Sequence, residues 1–404
     1  MEEDTQTIGQ RLRALRLWRR LTLAELAGLC GVTAPAISMW ENGRRPLDRR
    51  SHISALAAAL RVSETELTGG PHSGTDPLQS APHTAIPALR IALQTNSLSS
   101  PAVDRARPVA ELAEEVSQHI EPLHRRSDYV EIGVRLPAVI DALHLHICEP
   151  ADEAAQILAL ETLVEACVTA AFTAKHLGYP DLAHLAAVRA EEAARLLGDP
   201  VQQGKAAFLR IQTSPRAWDR TLPAAERAAT ALEPHARTPL AMQVLGLLTL
   251  SAAMAAAAVQ RGDTAESWLG EADRLAAHVP DDMWGNWQSF SATNVALWRT
   301  AIGVERGESG GRVLALASAV KDGQVTVGSR KADFLVDVGR GLARDPKTRP
   351  EAVHWLHRAE ESAPQRVRNS APAREAVAYL LSRATATAGG RELRGMAARM
   401  GVAH

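Results

Sequence analysis

Thr22-Leu-Ala-Glu-Leu-Ala-Gly-Leu-Cys-Gly-Val-Thr-Ala-Pro-Ala-Ile-Ser-Met-Trp-Glu-Asn-Gly43 decides the reading of this chain. Thr22 is a good N-cap for a helix that carries Leu23, Leu26 and Ala27 on one face. Gly31 supplies the left-handed position that ends it, and Thr33 caps a second helix. Ile37 and Trp40 of that helix face its partner, while Ala34, Pro35, Ser38 and Met39 form no core stripe and are free to face something external. Gly43 stops it. The spacing predicts a helix-turn-helix unit whose second helix is presented outward.

The flanks extend the unit. Ile8, Leu12 and Leu15 alternate with Arg11, Arg13, Arg16 and Arg19; residues 51–60 form an Ala/Leu helix; Val62 to Leu67 reads as a capped final helix. Between residues 8 and 62 ten arginines stand against Glu25, Glu41 and Asp48, a local net charge of +7 in a chain whose total is −1. A compact basic head on an acidic body suits phosphate binding, because neutralised phosphates release condensed counterions. Glu2, Glu3 and Asp4 partly offset the head.

The Ala-Glu-Leu-Ala run at 24–27, Gly31-Val32-Thr33, Ile37-Ser38 and Trp40-Glu41-Asn42-Gly43 resemble the Xre/Cro family of lambda-repressor-like DNA-binding domains. The resemblance implies that Thr22, Thr33, Ala34, Pro35, Ser38 and Met39 meet the duplex, with Arg44, Arg45 and Arg49 as phosphate clamps. Thr33 and Ser38 offer little hydrogen bonding to base edges, so shape carries much of the readout. The resemblance also pairs Arg16 with Glu41 inside the domain.

Composition bounds the remainder. At 404 residues the chain exceeds one ordinary domain. No apolar run approaches the roughly 20 residues that span a bilayer, and the acidic start lacks a signal core, so a cytoplasmic protein with no membrane contact is expected. Cys30, Cys148 and Cys167 form no paired motif and read as reduced thiols. His144 and His146 lie on different helical faces, and His354 with His357 lacks a nearby third ligand. Neither a metal nor a cofactor is expected, and no catalytic constellation is present.

The fold class expected is all-α. Residues 1–68 are the head; 69–108 hold six of the 22 prolines and read as a Pro/Gly/Ser-rich linker with a short helical piece at Leu89 to Leu93. From 109 to 404, helices of 12–20 residues are broken at Glu149-Pro150, Gly178 to Pro180, Ser214-Pro215, Gly262-Asp263, Gly307 to Gly311, Asp345-Pro346 and Gly389-Gly390. The last four breaks recur every 38–45 residues. This loose period resembles degenerate tetratricopeptide repeats, most visibly in Ala166 to Leu197 and Ser291 to Ala319, and predicts an α-solenoid.

Within the body, Trp287, Ser291, Asn294 and Trp298 follow helical spacing and define one stripe, with Arg330 and Asn369 opening later helices. Indoles beside an amide suit a ligand groove, and equally suit inter-repeat packing. A head of this type on a helical-repeat body resembles the peptide-pheromone receptors of Gram-positive bacteria. That resemblance implies a homodimer on an inverted-repeat operator in duplex DNA, with a body that senses a peptide or a small molecule. The other reading is a repeat scaffold for protein–protein interaction with a DNA-localising head and no ligand.

Overall fold

The computed structural model describes residues 6–72, 77–214, 217–384 and 390–402; Glu2, Glu3, Asp4, Pro215 and Gly389 lie outside them. The protein is all-α, and among the described residues extended pairing is limited to a bridge between Ser97 and Ser100.

The head comprises α1 (Ile8–Trp18), α2 (Leu23–Cys30), α3 (Ala34–Glu41), α4 (Arg50–Leu60) and α5 (Glu64–Thr68). Capping boxes start three of them: Thr7 with Gln10, Thr22 with Glu25, Ser63 with Glu66. Thr33 caps α3 by accepting from the Ala36 N–H. Gly31, at φ 65°, turns the chain so that α2 and α3 meet at 109°. The helices close on Leu12, Leu26, Ile37, Trp40, Leu56 and Leu60. At Gly9 a side chain is excluded, because a Cβ would lie 2.1 Å from the Trp40 carbonyl oxygen.

The body is a succession of antiparallel helices. Among them are α6 (Ile86–Thr95), α7 (Tyr129–Cys148), α8 (Glu153–His176), α9 (Pro180–Leu197), α10 (Pro200–Thr213), α11 (Trp218–Leu232), α12 (Pro239–Ala258) and α13 (Gly262–Ala276), with a further helical stretch over 109–126 between α6 and α7. Then follow α14 (Ala292–Arg306), α15 (Gly311–Ser318), α16 (Gly328–Ala343), α17 (Arg349–Ser362), α18 (Ala371–Leu381) and α19 (Gly390–Arg399). From α7 onward most helices pack against the next, and several against the next but one, as stacked hairpins require. The pairs α8–α9 and α14–α15 coincide with the two stretches in which the repeat is most visible in sequence.

Two core clusters fill the body and meet on α14, where Val295 and Ile302 enter the first and Leu297 and Val304 the second. The ends of the succession also touch. The His83 ring joins the Tyr179 hydroxyl at 3.1 Å to Asn369 Oδ1 at 2.9 Å, and Gln365 Oε1 accepts the Tyr129 N–H at 2.7 Å.

Two expectations are corrected here. Residues 69–108 are not wholly a linker: α6 docks on α7 and buries Ile86, Leu89, Ala92 and Leu93 in the main core. The short helical piece expected at Leu89 to Leu93 lies within α6, and Pro87, one of the six prolines of the stretch, sits in its first turn, where proline is favoured. Second, α8 and α12 are long and apolar enough to cross a membrane by length and composition. They lie instead at the centre of the body, with 78% and 89% of their apolar windows buried, as helices apolar all round must when wrapped by others. Burial pushes the Cys167 thiol on α8 up to about 12 and Cys30 up to about 11.

Candidate nucleic-acid interface and its seam with the body

The outward side of α3 is built by its own cap. Thr33 and Pro35 are exposed, and Ala34, Ser38 and Met39 are half-buried. Thr22 is exposed at the start of α2, its hydroxyl and N–H both bonded to Glu25. Behind α3, the N–H groups of Arg44 and Arg45 donate to the Met39 carbonyl at 2.8 and 3.2 Å, which folds the chain back and leaves both side chains exposed beside the helix.

Arg16 and Glu41 form a buried two-point pair, Nε to Oε1 at 2.6 Å and Nη2 to Oε2 at 2.8 Å. Its third contact, Nη1 to the Leu21 carbonyl at 2.9 Å, ties α1 to the start of α2. Arg19 is half-buried and donates to the Leu60 and Arg61 carbonyls at the end of α4. The basic excess of the head is thus partly spent inside it.

Arg49 is where the structure departs from the sequence expectation. Its side chain is half-buried against the body, with Nε and Nη2 enclosed and unpartnered, and desolvation lowers its pKa. It occupies the N-cap position of α4 and makes no side-chain cap. A solvated phosphate clamp needs an accessible guanidinium, so Arg49 does not belong with Arg44 and Arg45 in this arrangement.

The missing cap comes from the body. Glu305, near the end of α14, accepts the N–H groups of Arg50 at 3.0 Å and Ser51 at 2.8 Å and the Ser51 hydroxyl at 2.7 Å. A carboxylate at a helix C-terminus opposes the macrodipole, and the N-terminus of α4 offsets that cost. Next to it, Asp48 is 2% exposed and held by Arg344 Nη2 at 3.0 Å to both oxygens, with Arg340 Nε at 3.5 Å. Although burial alone raises it, Arg344 and Arg340 keep the Asp48 carboxyl below its ordinary value. Arg340 is held in turn by Asp337 at 2.6 Å and donates to the Asp48 carbonyl. The seam grips the loop that follows α3 and leaves α3 outward.

Glu375 on α18 accepts the Leu47 N–H at 3.0 Å, and burial raises its pKa to about 7 from an ordinary 4.5. A carboxyl raised on docking holds a proton that the undocked form releases between those values. Docking is therefore expected to weaken as pH rises from 4.5 through about 7, and to level off above. His52, pulled down to about 4 chiefly by burial, works the other way below its ordinary 6.5 to the extent that undocking exposes it, so the Glu375 contribution is isolated by comparison with a Glu375 variant. The protection factor of the Leu47 amide, followed by hydrogen exchange, should fall across the window in the wild type relative to Glu375→Gln, the difference between the two profiles being the Glu375 contribution.

The proposed stripe in the body is not one helical face. Trp287 precedes α14 in a 3₁₀ turn, and Gln288 and Ser289 follow at φ 47° and 64°, breaking the period. Ser291 is the N-cap of α14 and accepts the Asn294 N–H at 3.2 Å. Trp287 donates to Glu165 at 3.1 Å and stands edge-on to Phe208, while Trp298 packs against the main core. Asn294 is 1% exposed, and both of its amide atoms lack a partner. Asn369 is engaged by His83 and the Gln365 carbonyl. Arg330 donates to the Gln288 carbonyl at 3.2 Å, so it alone joins the Trp287 turn. Among the described residues no three His, Cys, Asp or Glu side chains gather in a metal-binding group.

A family described as a helix-turn-helix domain matches residues 7–68. The same region is 44% identical over 57 residues to the HTH-type transcriptional repressor RghR of Bacillus subtilis (14% of this chain, 42% of that one). It is 44% identical over 54 residues to the uncharacterized HTH-type transcriptional regulator RghRB of the same organism (13% and 39%). The chain spans about two fifths of the length of these curated relatives. Among solved structures, Bacillus thuringiensis PlcR in complex with the peptide PapR7 and DNA aligns with 67% of this chain and 95% of its own, at 12% identity and a TM-score of 0.25. Residues 7–68 are therefore a helix-turn-helix domain.

Proposed function

We propose that this protein is a cytoplasmic DNA-binding transcription regulator, a homodimer on an inverted repeat, whose helical body senses a signal. The observation that carries this reading is the seam. The body caps α4 and clasps Asp48 while α3 points outward, so the angle of the reading helix is set by the body. Two half-sites are met only at a fixed separation, and a change in body curvature then becomes a change in DNA affinity. The exposed Arg44 and Arg45 act as phosphate clamps and Thr33, Ala34, Pro35, Ser38 and Met39 lie over the groove. The body is a tetratricopeptide-like solenoid, and its hold on the head supports a role as sensor over one as inert scaffold.

Replacing Arg44 and Arg45 together by Ala is expected to weaken binding to all duplexes and to reduce the slope of log affinity against log salt by about two, near one for each lost phosphate contact. Footprinting on genomic fragments supplies the duplex, and fluorescence anisotropy at several salt concentrations measures the slope. Changed sequence preference with an unchanged slope sinks the assignment of these arginines. Failure to footprint any fragment sinks the regulator reading itself.

A further inference from the structure

A small cavity of about 30 Å³ lies where the beginning of the body meets its later repeats. Arg125, Arg330, Arg366, His124, His176 and Gln288 bear on it. Two of the three guanidinium groups already have carboxylates. Asp333 takes Arg366 at 2.7 and 2.6 Å, and Glu121 pairs with Arg125. Arg330 forms no ion pair among the described residues; its recorded hydrogen bond is the one to the Gln288 carbonyl. Asp333 also acts on Arg330 electrostatically, so two carboxylates serve three guanidinium groups and the cluster keeps a net positive charge in a confined place, which an anion would answer.

The other polar groups suit the same occupant. Burial holds His124 at about 3 and His176 well below its ordinary value, so both rings are neutral and neither adds to the charge. His124 is 8% exposed, and its Nδ1 has no partner. Gln288 and Ser289 line the cavity in the left-handed region without being glycine, a strain that persists where surroundings fix a binding geometry. His176, Gln288, Arg330 and Arg366 are half-buried, so the cavity opens to solvent on their side. Its size admits about two water-sized groups, which is room for the oxygens of one oxyanion and not for a whole peptide.

We infer that this cavity is a binding site for a single oxyanion group, with Arg330 as its principal ligand, and that the anion belongs to the effector of the body. The second clause rests on the regulator reading above; the first does not. Arg330 and Asp333 stand on the opening turns of α16, whose far end carries Arg340 and Arg344, the residues that hold Asp48 of the head. Arg50 of the head also acts electrostatically on Asp333 and Asp337 of that helix. An anion that draws on Arg330 and Arg366 alters the charge seen by Asp333, and the seam lies on the same rigid element. A free small acid and the carboxylate end of a larger molecule offer the same chemistry.

The test uses the full chain in isothermal titration calorimetry at constant ionic strength. The probes are inorganic phosphate, acetate, and a short acetylated alanine peptide with either a free or an amidated C-terminus. One-site saturable binding of at least one of them is expected. Arg330→Gln should weaken it by about tenfold or more, the loss of a charged hydrogen bond. Arg210→Gln, in the separate groove between α9, α10 and α11, should leave it unchanged. Binding of the free-acid peptide alone assigns the anion to a chain terminus; binding of phosphate or acetate assigns it to a free anion. No saturable heat from any probe overturns the site, as does affinity retained in Arg330→Gln. If that variant misfolds, Arg330→Lys, which keeps the charge but loses the planar fork, is judged by the same loss. Affinity for the footprinted duplex is measured in parallel. A probe that binds and leaves that affinity unmoved keeps the site and removes the anion from the effector.

Discussion

Glu41→Ala is expected to destabilise the head by about 3 kcal/mol, because it leaves the buried Arg16 guanidinium without its counter-charge. Arg16 and Glu41 are 9% and 8% exposed, and the pair closes α1 against the end of α3. The hydrogen bond to Glu41 is the main reason that the Arg16 pKa is raised. Glu41→Gln, which retains an acceptor, should cost less. Hydrogen exchange of the peptides spanning residues 8–60 in the full chain measures the effect. Loss of protection there with the body unchanged is the expected result. Unchanged protection in Glu41→Ala would mean that the pair contributes nothing to the domain. Since neither residue faces outward, any fall in DNA affinity should be uniform across sequences.

That pair was expected only from the resemblance to lambda-repressor-like domains; what the residues themselves made legible was the domain around it, because most of its turns are locally marked. Thr22, Gly31, Thr33 and Gly43 each impose a boundary through their own chemistry, and the apolar spacing between them leaves one way to pack. The solenoid was legible for a similar reason, since each hairpin needs only helical periodicity and a breaker. What escaped was long-range or locally unmarked. Glu305 and Glu375 lie about 250 and 330 positions from the backbone groups that they bind, and nothing near them in sequence points to that use. The tryptophan stripe failed at Gln288 and Ser289, where a left-handed turn is made by residues that do not announce one. Arg330 was picked as part of a groove, yet its partner is the carbonyl of that turn, not the stripe. One signal did exist for the seam: α4 begins at Arg49-Arg50-Ser51 with no capping side chain at Arg49. An uncapped start in a domain otherwise carefully capped points to a partner elsewhere.

Removing the charge of Asp48 should separate head from body without unfolding either. Asp48→Asn keeps the shape of the side chain and takes away the counter-charge of Arg344, which bonds both carboxylate oxygens, and of Arg340, which is 2% exposed. Among the described residues Arg340 then keeps only Asp337 as an ion-pair partner and Arg344 only the Val304 and Glu308 carbonyls, which costs about 3 kcal/mol in the docked state. Undocking relieves that cost, because both guanidinium groups then reach water. The head keeps its own core around Leu12, Leu26, Ile37 and Leu56, so it has no reason to unfold. The first consequence is at α4, whose Arg50 and Ser51 N–H groups lose Glu305 and face solvent with no cap of their own. Their amide protection should collapse while that of α1 to α3 persists, a pattern distinct from the one expected of Glu41→Ala. A second consequence concerns function. A head released from α16 no longer inherits its angle from the body, so cooperative binding to paired half-sites should fall while affinity of a single head for a half-site duplex is retained. Equal binding of wild type and Asp48→Asn to duplexes with one and with two half-sites would show that the seam does not set the geometry of reading.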